Sequence, residues 1–420
     1  MSTKISIIGA GLSGLAAAIT LEKAGYKPVI FEATSEAGGR VKTDLFEGYQ
    51  LDHGFQVLLD AYPKAQEYFK YDELQLQRIL PGAILFNTGK SMIIGDPSRH
   101  MGFLFSTLFS GLASIKDVYL LWVLYRKLQK TRDEDIFKEE EISTLAYLRK
   151  RGFSNRIINV FFKPFFTGIF LENELKTSCR MFLFVFKMFG KGYATIPKGG
   201  MGELPLQLLK RLQHTTINYD SPIAKVEEGK LILKDGQEFT SDIILIATDV
   251  AGIFNKPQQK QLSWHSCETL YFETEQRKIK KRIIGLITDS NALVNNIFYP
   301  SSLGYESKGE KELLSVTVVR EHSLSEDELV RKVSEELKGF CDIKELRYLK
   351  RFTICKALPS LTHLTHSWDE EHGRLGNTIY SAGDHQLYGS SNAALLSGEM
   401  ASKAIIANLQ KQKNRSKAVP

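Results

Sequence analysis

Cysteine is scarce in this sequence: four in 420 residues, at Cys179, Cys267, Cys341 and Cys355, with no CxxC spacing among them. That excludes a redox dithiol and a thiolate zinc site, and it suits a reducing cytoplasm, where the chain is expected to work. A leader is also missing. Met-Ser-Thr-Lys runs straight into a β-branched stretch with no apolar h-region or small-residue cleavage site, so no export is implied. No apolar run is long enough to span a bilayer. The longest, Met101 to Leu128, is broken by Lys116, Asp117, Arg126 and Lys127, leaving about 15 uncharged residues where about 20 are needed. Such a run can still lie on a membrane, so peripheral contact stays open.

Charge of one sign is nearly balanced. Lys plus Arg number 55 against 48 Asp plus Glu, a net +7 without a long cationic block, which argues against a nucleic-acid partner. The small basic clusters at Lys278–Arg282 and Lys411–Lys417 read as solvated loop and tail. His363, His366 and His372 match no zinc spacing, and no metal is expected. There is no internal repeat, no Ser/His/Asp arrangement, and no second GxGxxG that would mark a separate nicotinamide domain.

What is present suits a soluble globular protein. Hydrophobic residues make up 43% and charged residues 25%, and the length fits two domains, one interrupting the other. Ile5–Ile8, Leu12–Ala24 and Pro28–Phe31 read as strand, helix and strand. Between the first two, Gly9 permits a tight turn, Gly11 lets backbone approach a pyrophosphate, and Gly14 lets the helix pack closely on the strand. Glu32 ends the second strand, where a carboxylate accepts hydrogen bonds from both ribose hydroxyls of an adenosine and repels a 2′-phosphate. Gly38-Gly39-Arg40 adds a second close backbone approach and a guanidinium for phosphate charge, favouring FAD over NAD.

Further along, Phe103 to Lys191 reads as a helical insertion. Its phenylalanines and leucines suit a core or an apolar pocket, and sequence alone leaves both open. Pro222–Val226, Lys230–Lys234 and Phe239–Ala247 read as short strands turning at Asp235-Gly236 and returning to a core sheet. Thr269–Thr274, Ile283–Thr288, Ile297–Tyr299 and Leu313–Arg320 predict an antiparallel sheet. Ser325 and Glu328 match a capping box for a helix ending near Phe340. Asn377–Ser381 reads as a strand before Ala382-Gly383-Asp384, and Asn392–Leu409 as an Ala/Leu/Ser helix ahead of a polar tail.

The succession GxGxxG, acid, GGR, together with PKGGMGELP (Pro197–Pro205), Ser221–Thr248 and YSAGDHQLYGSSNAALLSGEMASKAI, resembles the flavin-containing amine oxidase superfamily, which includes phytoene desaturases and protoporphyrinogen oxidases. The resemblance implies an α/β fold: a Rossmann-like FAD-binding domain with an interleaved substrate domain of antiparallel sheet and helical insertion. It implies a discontinuous FAD-binding domain at 1–80, 195–255 and 375–412, a substrate domain at 81–194 and 256–374, and a flexible tail at 413–420. It further implies pyrophosphate contacts from Gly9, Ala10, Gly11, Ser13 and Gly14, ribose contact from Glu32 with Ala33 beside it, and Gly39 and Arg40 at the phosphates. Backbone at Gly54, Phe55 and Gln56 is expected near the isoalloxazine, and Ile223 at the adenine. Gly383 and Asp384 would hold a ribityl or phosphate oxygen, and Asn392-Ala393 would present helix amides to the flavin.

His53, in LDHGFQVLLDAYP, reads as a hydrogen-bonded structural residue, and no catalytic residue is assigned. Two departures from the superfamily matter. His265–Glu273 lacks the lysine that many amine-oxidising members place near the flavin, and no aromatic cage pair is evident, which demotes a primary amine substrate. Cys355 falls in the region where some members attach flavin covalently, but it reads as a buried small hydrophobe, so FAD is expected to be non-covalent. The expected activity is hydride removal from an apolar organic small molecule, with an unidentified electron acceptor. Amine oxidation, redox-neutral isomerisation on flavin, and non-enzymatic lipid or prenyl binding on the same fold remain open.

Overall fold

A computed structural model describes residues 3–88, 90–95, 113–254, 262–304, 311–367 and 373–417. His372, the first part of the helical insertion (103–112) and the last tail residues lie outside them. The chain opens with β1 (Ile5–Ile8), α1 (Leu12–Lys23) and β2 (Val29–Phe31). Both faces of β1 are buried, as an apolar run without polar alternation requires of a central parallel strand. It pairs in parallel with β2 (Ile7 opposite Ile30) and with Ile243–Ile246 (Ile7 opposite Leu245). Thr216–Asn218 and Ile379–Ser381 complete a five-stranded parallel sheet whose strands come from the beginning, middle and end of the chain.

On this sheet α1 packs against the terminal helix, Ser391–Lys417. A Cβ on Gly398 would collide with the Ser13 carbonyl oxygen, so glycine there sets the close approach of the two helices. The terminal helix runs past Leu409 to Lys417, because KQKNRSK contains neither glycine nor proline to stop it.

The second layer is a seven-stranded sheet in the order Arg347–Ser360, Ser263–Thr274, Glu312–Val318, Val294–Phe298, Ile284–Ile287, Gly82–Asn87 and Lys90–Gly95. It is antiparallel except where Ile284–Ile287 runs parallel to Gly82–Asn87. The capping box forms as its sequence predicts: Ser325 Oγ accepts from the Glu328 amide at 3.4 Å, Glu328 accepts from the Ser325 amide at 2.8 Å, and the helix runs Glu326–Cys341. Phe239–Ala247 is not one strand. It breaks at Ser241-Asp242, where Ser241 Oγ donates to the Ile243 carbonyl at 2.7 Å, so Glu238–Thr240 closes a separate three-stranded sheet and only Ile243–Ile246 reaches the core.

The described insertion is helical, with a π turn at Ile158–Phe162. Phe162, Phe166, Phe170, Phe182 and Phe184 are fully buried and contact one another and Tyr388 through ring centroids 4.9–5.8 Å apart in the pairs Phe166–Phe182, Phe166–Phe170, Phe162–Phe182 and Phe184–Tyr388. Of the two readings the sequence left open, these five rings take the core.

Candidate functional site

The nucleotide cleft is built where β1 hands over to α1. Gly9 turns the chain at φ +98°, and a Cβ on Gly14 would collide with the Gly9 carbonyl oxygen, so the helix starts directly against the turn. Gly11 caps α1 without a side-chain hydrogen bond, and a Cβ built on it meets nothing within 4 Å. The amide end of α1 therefore has open space before it and no acid in its first turn, which fits an anion.

Around this opening the expected residues take distinct roles. Glu32 is buried: one oxygen accepts the Ala10 amide at 2.7 Å and the other the Thr34 amide and hydroxyl at 3.0 and 2.9 Å. Three of about four acceptor sites are used, so the carboxylate is fixed in place with capacity to spare. The Ala10 amide is thereby committed to Glu32, and the Ser13 hydroxyl donates to the Ala394 carbonyl at 2.9 Å, locking α1 to the terminal helix. Ala33 is exposed beside Glu32. Ile223 is brought close by the Ser221 amide, which donates to the Glu32 carbonyl at 2.8 Å.

Gly38-Gly39 folds back onto the phosphate turn. The Gly38 amide donates to the Ala10 carbonyl at 2.9 Å, and a Cβ on Gly39 would stand 3.4 Å from Gly11 Cα. From there Arg40 reaches the far end of the sequence: its Nη2 lies 2.5 Å from Asp384 and its Nη1 donates to the Ala357 carbonyl at 3.0 Å. Burial works against the Arg40 charge, but Asp384 outweighs it and holds the guanidinium protonated. The guanidinium also lies 5.3 Å from the Trp264 ring centre, a contact with no motif to announce it. Gly383, at φ +156°, is held from below: its amide donates to Ser397 Oγ at 2.8 Å.

Asn392 and Ala393 are more committed than expected. Asn392 Oδ1 accepts the Lys64 amide at 2.9 Å and its Nδ2 donates to the Tyr388 hydroxyl at 2.6 Å, while the Ala393 amide donates to Ser390 Oγ at 3.1 Å. These bonds fix the start of the terminal helix.

Gln56 donates to the Arg40 and His53 carbonyls at 2.8 and 3.0 Å, pinning the Gly54-Phe55 turn beside the GGR turn. Gly54, at φ +98°, and Phe55 line a small cavity of about 10 Å³, room for one water, with Gln50, Asp52, Tyr271 and Phe298. Asp52 is the carboxylate there. Its Oδ1 accepts from Thr43 Oγ1 at 2.5 Å and from the Met201 amide at 2.9 Å, and burial pushes its pKa up to about 6. The glycines of PKGGMG make this possible, since a side chain on Gly200 would displace Thr43 and Asp52. Sequence reasoning passed over Asp52 for its neighbour; its place two residues before a left-handed glycine was the available signal. His53 turns elsewhere, with Nε2 2.7 Å from Asp44 and its ring 4.4 Å from that of Phe352. That is the hydrogen-bonded setting expected of it.

Cys355 corrects an expectation: it is exposed, not a buried hydrophobe, because it lies on Arg347–Ser360, the edge strand of the seven-stranded sheet. His363 meets Glu141 at 3.1 Å and His366 stacks on Tyr388, two separate settings.

The open helix end, the oriented acid, and the guanidinium joined to Asp384 together fit a flavin adenine dinucleotide. Comparison with known proteins agrees. The model of the family described as flavin containing amine oxidoreductase matches residues 12–406. Hydroxysqualene dehydroxylase of Rhodopseudomonas palustris is 44% identical over 70 residues, 16% of this chain and 17% of that protein. Protoporphyrinogen oxidase 2 of Arabidopsis thaliana is 24% identical over 260 residues, 52% of this chain and 49% of that protein, so the matched stretches span half or less of these relatives. The fold is that of cyclohexylamine oxidase from Brevibacterium oxydans, with a TM-score of 0.70 at 13% identity over 98% of this chain and 100% of that one. With the family pattern extending over nearly its whole length, the chain belongs to the flavin containing amine oxidoreductases, and its cofactor is FAD.

Proposed function

We propose that this chain is an FAD-dependent oxidoreductase that removes hydride from an apolar small molecule and passes the electrons to an external acceptor, drawing its substrate from a membrane surface. The observation that carries the reading is the nucleotide cleft, where the open amide end of α1 at Gly11, the oriented Glu32 and the Arg40–Asp384 pair converge; an apolar substrate would approach the flavin edge at the Gly54–Phe55 turn, beside Tyr271, Phe298 and Pro300. FAD supplies the hydride acceptor when bound. Gly9, Gly11 and Gly14 would hold its pyrophosphate, Glu32 its adenosine ribose, and Arg40 and Asp384 the middle of the cofactor. Gly54 and Phe55 would bring backbone to the flavin edge. The apolar side chains around that turn would exclude water from the flavin edge, which strengthens the few polar contacts there.

Asp52, beside this turn, would take the proton that leaves when a carbon–carbon or carbon–heteroatom single bond is desaturated. Its raised pKa matches a base working near neutrality. Ser263–Thr274 contains no lysine, which supports a non-amine substrate. The relatives named hydroxysqualene dehydroxylase and protoporphyrinogen oxidase point to a polycyclic or isoprenoid molecule.

The test is anaerobic mixing of the purified holoprotein with isoprenoid alcohols, carotenoid precursors, porphyrinogens and primary amines while the flavin absorbance is followed. Bleaching by a member of the first three classes is expected. Faster bleaching by amines overturns the substrate class, and turnover without bleaching favours isomerisation.

A further inference from the structure

We propose that the outer face of the Ile115–Lys130 helix docks on an anionic lipid bilayer. This rests on the reading of an apolar, membrane-derived substrate and names the surface that would meet it. Ile115, Val118, Tyr119 and Trp122 are 92%, 37%, 60% and 57% exposed, four of the seven large exposed hydrophobics among the described residues. Their spacing of three, four and seven residues from Ile115 places them on one stripe of the helix.

This is a pinned helix. Leu124 and Leu128 are buried on its inner side. Asp117, fully buried, accepts from the Ser114 amide at 2.9 Å and from the Ser154 amide at 2.8 Å, tying the helix start to the loop after residue 152. A Cβ on Gly190 would stand 2.8 Å from the Tyr125 ring, so the helix lies close against Cys179–Lys191, the helix that carries Phe184 to Tyr62 and Tyr388.

Charge selects the occupant. Asp117 is the helix's only acid and is spent internally, whereas Lys116, Arg126, Lys127 and Lys130 are exposed on it. Arg149 and Arg156 stand exposed on the following elements, and Lys116 Nζ would lie 3.3 Å from a Cβ on Gly152 between them. None of Lys116, Arg126, Arg149 and Arg156 pairs with a carboxylate among the described residues. Arg126 sits 5.8 Å from the Trp122 ring centre, the pairing of aromatic and cation that suits the headgroup boundary. A second copy meeting this face across a two-fold axis would set cations against cations, so an isologous dimer is disfavoured. No helix among the described residues is long and apolar enough to cross a membrane, so the contact is peripheral.

The test is sedimentation of the flavin-loaded full chain with vesicles of phosphatidylcholine alone or with about one-third phosphatidylglycerol. Binding to the anionic vesicles is expected to be at least ~10-fold tighter and to weaken with salt. The double variant Tyr119→Ser/Trp122→Ser should lose ~10-fold or more of the binding, and Lys116→Gln/Arg126→Gln should lose most of the anionic preference. Unchanged flavin content and circular dichroism certify that the variants fold. Vesicle binding that survives the first double variant overturns the proposal. So does absent vesicle binding with concentration-dependent self-association in light scattering, which would assign the face to a second copy. Sedimentation needs no turnover, so its failure leaves the oxidoreductase reading standing, and a flavin that no substrate bleaches leaves the docking standing.

Discussion

At the scale of single residues, Asp52 and Arg40 bear opposite electrostatic burdens. Arg40 is partly exposed and pairs with the buried Asp384; removing that carboxylate leaves the guanidinium only the Ala357 carbonyl and water. Asp384→Asn should therefore cost both thermal stability and FAD retention, about 1 kcal/mol in the protein freed of flavin, because a charge-assisted hydrogen bond to a partly exposed guanidinium is lost. Chemical denaturation of the flavin-free variant checks it, and an unchanged midpoint would count against the pairing. Asp52 behaves in reverse. Its pKa rises from the ordinary 3.8 to about 6 through burial, so the folded protein binds the proton more tightly than the unfolded chain. Stability contributed by the protonated form is complete below pH 4 and is lost as pH rises through about 6. Asp52→Asn should then stabilise the protein at pH 7.5 by roughly 1–3 kcal/mol and have almost no effect at pH 4. If the same residue is the proton acceptor, the variant also reduces its flavin with substrate at least ~100-fold more slowly and without the rise through pH 6 shown by the parent. Equal denaturation curves at both pH values would sink the first claim, and an unaltered rate profile the second.

At the scale of elements, local signals translate faithfully wherever one backbone period and one side-chain rule are enough. The opening strand, α1, Glu32 and the Ser325 capping box could all be read from neighbours in sequence. Ser325→Ala should lower stability by about 1 kcal/mol, measurable by urea denaturation, since it leaves the Glu328 amide without its acceptor. Phe239–Ala247 misled for a physical reason: β-branched and aromatic residues on both sides of Ser241-Asp242 share one propensity, and only the serine bond to the Ile243 carbonyl divides them. The phenylalanines of Cys179–Lys191 could not be divided between pocket and core, because period alone does not say what a helix faces. Gly14→Ala should perturb two elements at once. Its Cβ would strike the Gly9 carbonyl, so loss of bound FAD is expected at a substitution that would favour an isolated helix.

At the scale of the whole molecule, the meeting of distant segments was the least legible feature. The phosphate turn, GGR and AGD could each be recognised, yet the Arg40–Asp384 pair, the Trp264 ring and the Thr43–Asp52–Met201 cluster join residues far apart in the chain, and no local pattern specifies such distances. A second long-range cluster makes the last prediction. Glu273 on Ser263–Thr274 accepts from Arg347 Nε and Nη2 at 3.0 and 2.6 Å and from the Tyr49 hydroxyl at 3.1 Å. Arg347 also reaches Glu47 at 2.9 Å, so the Thr43–Asp52 hairpin that carries Asp52 is clamped to the edge of the seven-stranded sheet. The Arg347 bonds, with Tyr49 adding to them, lower the Glu273 pKa from 4.5 to about 2. A depressed carboxylate contributes stability that is present above its unfolded value and disappears as pH falls toward its folded one. The protein should thus lose stability between about pH 4.5 and pH 2 in part through this clamp. Glu273→Gln should be less stable at pH 7 and show a shallower decline over that acidic window, as read from urea midpoints at half-unit intervals. Because the hairpin also holds the cavity carboxylate, the variant should broaden the pH profile assigned to Asp52. A Glu273→Gln protein with the parent's acid slope would show that the clamp does not couple the sheet to the site.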